Sequence, residues 1–183
     1  VSNYNSLMET IKSRVSRLAF KKYSSNEISD ALEAKIGKAL DNIDFVVAFS
    51  DGIIDTALKI ATSEEFIRLR EEVLDMIIKI NSGKMTDVFE MIRFFELEKQ
   101  NINIIFDIMI IFYRDMFVYK KTQNENILIN SDKKVIILGN IDKFTMKKLS
   151  ANIEEIEKSR RILQQNANFQ LAMEVMLMKL QEE

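Results

Sequence analysis

Only carboxylates, lysines, arginines, tyrosines and hydroxyls are available for chemistry in these 183 residues, because the chain has no His and no Cys. That excludes a thiolate nucleophile, a Ser-His-Asp triad, a zinc cluster and a disulfide framework. The four glycines, Gly37, Gly52, Gly83 and Gly139, lie too far apart for a P-loop or a GxGxxG turn, so neither phosphate cradle is encoded here. Three acidic pairs remain, Glu64-Glu65, Glu71-Glu72 and Glu154-Glu155. Each falls on an amphipathic helical pattern where adjacent residues point to different azimuths, which reads as a solvated face and not a metal ligand set. Two basic clusters, Lys147-Lys148 and Lys158-Ser159-Arg160-Arg161, suit DNA phosphate or an acidic helix. The i,i+4 spacings Glu154 to Lys158 and Glu157 to Arg161 favour an ordinary charged face instead. Arg14, taken alone, is a loop arginine of the kind that enters weak surface ion pairs, with Ser13 beside it as a turn-holding hydroxyl.

The elements that must position these residues are helical. Hydrophobic residues make up 47% and charged residues 30% of the chain, enough to bury a core and unlike a disordered composition. A net charge of -2 does not suggest a DNA-coating protein. Thr62-Ser63-Glu64-Glu65 reads as a capping box, Thr62 capping and Glu65 reaching back. Behind it, Phe66, Leu69, Val73, Ile77 and Ile80 form one apolar face, and Gly83 offers a stop. A second helix is expected over Met85–Glu98 and a third, apolar on most faces, over Asn103–Lys121. Asp107, Arg114 and Asp115 make that third segment a buried helix and not a membrane span. Asp132–Leu138, with Val135-Ile136-Ile137, is open between strand and short helix.

Two long helices close the chain. Phe144–Gln164 buries Leu149, Ile153, Ile156 and Leu163. Asn168–Lys179 carries Phe169, Ala172, Met173, Met176, Leu177 and Leu180 at i, i+3, i+4, i+7 spacing, with Leu171, Val175 and Met178 on its other side. So apolar a helix is either a central core helix or one that seals in part against another chain, and Phe169, Met173, Met176 and Leu180 are the candidate interface.

The first sixty residues differ. Arg17–Lys21 alternates Leu18 and Phe20 with polar neighbours and reads as a strand. Ser24-Ser25-Asn26-Glu27 signals a capping box, followed by a helix with Ile28, Leu32 and Ile36. Phe45–Ser50 and Ile54–Ala61 are two further short helices around an Asp51-Gly52 turn. A lone strand needs a sheet, so this part is expected to be the tail of a domain whose other strands lie upstream.

Three stretches in register resemble one family. Ser6-Leu7-Met8-Glu9-Thr10-Ile11-Lys12-Ser13-Arg14-Val15 resembles the LLPTIxSRC segment of clamp-loader subunits in the AAA+ superfamily. Phe49-Ser50-Asp51-Gly52-Ile53-Ile54-Asp55-Thr56-Ala57-Leu58 is similar to their sensor-2 region, SxGSxGxAL. Asn166-Ala167-Asn168-Phe169-Gln170-Leu171-Ala172-Met173-Glu174-Val175-Met176-Leu177 is similar to the closing collar helix of the delta prime branch of bacterial DNA polymerase III clamp loaders. Tyr113-Arg114-Asp115-Met116 resembles the WYRDLL stretch of that branch. The departures are Val15 for the family's Cys, Glu9 for its Pro, and Thr56 where ATP-binding relatives place an Arg.

The resemblance implies a mainly all-α fold: residues 1–23 end an AAA+ core and keep one of its strands, 24–62 form a three-helix lid, and 63–183 form a helical-bundle collar for oligomerisation. The P-loop half would lie upstream of Val1. It further implies an accessory subunit that is not an enzyme on its own, part of a DNA-directed DNA polymerase holoenzyme, with no cofactor of its own. ATP would be held by the neighbouring subunit, to which Arg14 would be supplied in trans with Ser13 supporting it. The implied partners are the gamma/tau and delta subunits, and through the complex the sliding clamp and primed DNA. A cytoplasmic location, with no membrane, is the default for a chain without disulfides or a visible signal. The alternatives are a truncated gamma/tau-type ATPase and an unrelated helical scaffold.

Overall fold

A computed structural model describes residues 8–14, 21–80 and 85–182, with backbone alone for 85–87. Among the described residues all regular structure is helical. The expected strand over Arg17–Lys21 lies outside these residues except for Lys21, which is in no regular element. Gly83 lies outside them too.

A short helix, α1 (Glu9–Lys12), is followed by a unit of three: α2 (Ser25–Ile36), α3 (Ile43–Phe49) and α4 (Ile54–Thr62). Ser24 caps α2 as its spacing predicts. Its Oγ accepts from the Glu27 amide, and the Glu27 carboxylate accepts from the Ser24 amide at 2.8 Å. Gly37, in the left-handed region at φ 71, ends the helix by donating to the Glu33 carbonyl. Ile28, Leu32, Phe45, Val46, Ala57 and Ile60 are buried between the three helices. The turn between α3 and α4 has positive φ at Asp51 and Gly52. A Cβ at Gly52 would stand 2.5 Å from that of Lys22, so this turn also fixes where the chain enters the unit. The Tyr23 amide donates to the Gly52 carbonyl at 2.9 Å, alongside the Lys22–Asp51 ion pair.

The remaining helices are α5 (Glu64–Ile80), α6 (Met85–Leu97), α7 (Ile102–Thr122), α8 (Lys134–Asn140), α9 (Met146–Gln164) and α10 (Phe169–Gln181). α7 runs through the middle, packed on α5 and α9, while α10 packs on α9, α6 and α5. α7 buries Ile105, Phe106, Ile108, Met109, Phe112, Tyr113 and Met116, as its all-round apolar pattern requires. The segment left open between strand and helix is helical: Lys134–Asn140 follows a single 3-10 turn over Ser131–Lys133. A strand there would leave its backbone groups unpaired, whereas the helical period buries Ile137 and exposes Val135.

One capping assignment is corrected. α4 runs on through Thr62, whose hydroxyl donates back to the Leu58 carbonyl at 2.8 Å. Ser63 caps α5 instead, its Oγ accepting from the Phe66 amide at 3.2 Å. Ser63 therefore ends one helix and begins the next, with its own amide bonded to the Lys59 carbonyl. Ring contacts cross this junction: Phe66 lies 5.3 Å from Phe49 and 6.3 Å from Phe45, centroid to centroid.

Candidate functional site

Arg14 stands just past the end of α1. The Ser13 hydroxyl donates to the Thr10 carbonyl at 3.2 Å, and the Arg14 amide donates to Ile11 at 3.0 Å. This closes the turn and leaves the Arg14 side chain exposed, with no partner among the described residues. A planar guanidinium so placed offers its donors to an external anion such as a phosphate or carboxylate. Thr56, in the first turn of α4, is half-buried. The cation on the next turn, Lys59, is paired with Asp55 at 2.7 Å.

On α10, three of the four residues expected at an interface belong to the core. Met173, Met176 and Leu180 are fully buried within this chain, and Phe169 is half-buried beneath the Lys99 ammonium, which lies 4.9 Å from its ring centre. The cause is the position of α10, wedged between α6 and α9. The side of α10 that remains open carries Leu171, Val175 and Met178, exposed at 59%, 41% and 60%. These three follow i, i+4, i+7 spacing on one helical stripe. Beside them a groove of about 200 Å³ runs between α9 and α10, lined by Ile162, Ala167 and Ala172 among others. The sequence signal for this stripe was present, as the second apolar side of a helix already apolar on its first.

The basic clusters are largely engaged within the chain. Lys148 donates to the carbonyls of Lys179, at 3.0 Å, and Glu182. Partial burial lowers its pKa, with the nearby Glu182 opposing. Arg160 pairs with Asp107 on α7 at 2.6 Å and lies over the Phe106 ring. The i,i+4 pairs expected on α9 are replaced: Lys158 and Lys179 both meet Glu155, at 3.5 Å and 3.4 Å, and Glu157 meets Arg160 at 3.6 Å. No acidic group among the described residues forms a cluster able to hold a metal ion.

A buried polar network escaped the sequence reading. Arg70, on α5, is 3% exposed and donates to both oxygens of Asp132 and to Asn130 Oδ1. Its guanidinium carbon lies 3.8 Å from the centre of the Phe45 ring in α3. Asp115, fully buried on α7, accepts from the amides of Ile129 and Asn130, from Asn130 Nδ2 and from Arg114. Deeper in α7, burial raises the Tyr113 phenol far above its ordinary value, the adjacent Asn152 side chain opposing. The signals were an arginine on the apolar face of α5 and a carboxylate inside the most apolar helix.

The described residues thus form helices as their only regular elements, and the last six of these make one bundle, open along a stripe of α10. Residues 64–182, starting at the first residue of α5, match the family described as DNA polymerase III, delta subunit, C terminal. The chain belongs to that family of clamp-loader subunits, and membership implies association with other DNA polymerase III clamp-loader subunits. No curated protein and no solved structure matches it. No helix among the described residues is long and apolar enough to cross a membrane.

Proposed function

We propose that this chain is the C-terminal part of a delta prime-type clamp-loader subunit, with α2–α4 as its lid and α5–α10 as its collar. The observation that carries the reading is Arg14, exposed and without a partner among the described residues at the end of α1, in a segment that resembles the SRC motif. In the assembled ring it reaches the ATP of the neighbouring gamma/tau subunit. Charge builds on the γ-phosphate oxygens during phosphoryl transfer, and a guanidinium stays charged at any working pH and bonds two oxygens at once. Thr56 in the sensor-2 position supports a subunit that supplies this arginine without holding nucleotide itself. The collar joins the ring through the open face of α10, Leu171, Val175 and Met178, and the complex loads the sliding clamp onto primed DNA.

The test is the DNA-dependent ATPase of a clamp loader reconstituted with full-length protein carrying Arg14→Ala. Hydrolysis at the site Arg14 serves is expected to fall by about 10³-fold, with assembly of the complex intact. Wild-type ATPase and clamp loading would remove the arginine finger from the proposal. Nucleotide binding by the isolated full-length subunit would favour a gamma/tau-type motor instead.

A further inference from the structure

The three-helix unit and the bundle meet over a narrow junction. Along the chain they share only Ser63, with α4 on one side and α5 on the other. Beside that junction lies an open cleft of about 510 Å³, lined by Ile36, Lys38, Asp41, Thr62, Ile67 and Glu71 among others. Apart from the Phe66 ring against Phe45 and Phe49, a junction with one shared residue and an open flank is free to bend unless a further contact sets the angle. We infer that the loop 128–133 is a clasp that sets it, so that the two units move as one body.

The loop is held to the bundle at two depths. Asp115 binds its backbone at Ile129 and Asn130 by 3.0 Å and 2.7 Å bonds. Arg70 takes Asp132 through two bonds of 2.8 Å, and Lys133 pairs with Glu71. From this anchored position the loop reaches the other unit. The Ser131 hydroxyl donates to Asp44 Oδ2 at 2.6 Å, 87 residues away in sequence. Arg70, fixed in place by Asp132 and Asn130, presents its guanidinium to the Phe45 ring, which is itself fully buried. Asp44 and Phe45 are neighbours at the start of α3, so both reaches end on the same turn. One contact is a short hydrogen bond and the other a desolvated cation–π contact, and together they oppose rotation about the Ser63 junction. The role does not depend on which clamp-loader subunit this chain is, since it uses only residues of this chain.

The chain has no cysteine, so paired spin labels report the angle directly. Asp30→Cys on α2 with Ala151→Cys on α9 measures unit against bundle. Glu90→Cys with Ala151→Cys measures α6 against α9, both within the bundle. Double electron–electron resonance on the full chain is expected to give one narrow distance for each pair. Asp132→Ala should broaden and shift the unit-to-bundle distance and leave the bundle distance unchanged. Ser131→Ala, which removes only the bond to Asp44, should broaden the same distance to a smaller degree and serves if Asp132→Ala does not fold. An unchanged unit-to-bundle distance in the folded variants would overturn the clasp. Equal broadening of both pairs would also overturn it, because the loop would then support the bundle and not the angle.

Discussion

Arg70 and Asp132 lie 62 residues apart in sequence and meet through two hydrogen bonds of 2.8 Å, one to each carboxylate oxygen. Their side chains are 4% and 12% exposed. A buried pair offsets its desolvation only when geometry is good and the remaining donors are used. Here the second bond on Nη2, to Asn130, and the Phe45 ring supply further contact, while the buried Nε has no hydrogen-bond partner among the described residues.

Removing one partner is therefore expected to cost more than removing both. Arg70→Met leaves Asp132 and Asn130 without their donor and should lower stability by about 3–5 kcal/mol. Arg70→Met combined with Asp132→Leu should recover a large part of that loss. Urea unfolding of the two single variants and the double variant gives the cycle, and strictly additive losses would show that the pair is not coupled.

Asp115→Asn tests the second anchor. The amide nitrogen cannot accept, so some of the four bonds to Asp115 are lost and the rest lose their charge assistance. A loss of about 2–3 kcal/mol is expected, with faster hydrogen exchange at the Ile129 and Asn130 amides. Wild-type protection at those two amides would contradict the assignment.

The two sides of α10 should respond oppositely to charge. Leu171→Glu lies on the open stripe and should change stability by no more than about 0.5 kcal/mol, while weakening co-elution with partner clamp-loader subunits. Met176→Glu buries an unpaired carboxylate and should prevent folding or shift it severely. Thermal melts beside size-exclusion of the mixed subunits separate the two. Full co-elution of Leu171→Glu would place the contact face elsewhere.

The cap of α2 should titrate. Hydrogen bonds from the Ser24 hydroxyl and then the Ser24 amide hold the Glu27 carboxyl below its ordinary value. A group whose pKa is depressed on folding stabilises the fold above its unfolded value and loses that contribution as pH falls through the folded one. The first turn of α2 should thus fray below the usual carboxylate range. An NMR titration of the Ser24 amide should show this midpoint in wild type and lose it in Glu27→Gln.

Helices and their faces were legible because each rests on local periodicity and local caps. Ser24 with Glu27, and the all-round apolar pattern of α7, needed no information from elsewhere in the chain. Val135-Ile136-Ile137 was not decidable locally, since β-branched residues suit a strand and only the lack of a sheet partner turns them helical. The cap lies one residue beyond Thr62, since Thr62 has Glu65 at capping-box spacing but remains in α4, and Ser63 caps the Phe66 amide without a glutamate at that spacing. The clasp was illegible for a different reason. Arg70 and Asp132 look like ordinary surface charges until the fold carries residues 60 or more apart into contact, and Asp115, inside an apolar helix, does not show in the sequence that its partners are Ile129 and Asn130. Of the two readings open for α10, core helix or partner seal, burial of Met173, Met176 and Leu180 supports the core for that side, and apolar character alone could not tell it from the exposed side. Their neighbours on α6 and α9 decide it.

Ser63 leaves its two helices no slack. Ser63 is a single extended residue, so one more between Thr62 and Glu64 would add a step of about 3.3 Å or lengthen one helix by about 100° of turn, and either would move α5 relative to α3. Phe66 and Arg70 would move off Phe45 together, and Asp132 would follow them with the rest of the bundle. The junction should therefore reject insertions and deletions of any single residue, while the exposed turn around Gln123 and Asn124 should accept them. Length at this position, more than residue type, is what the packing of the two units depends on.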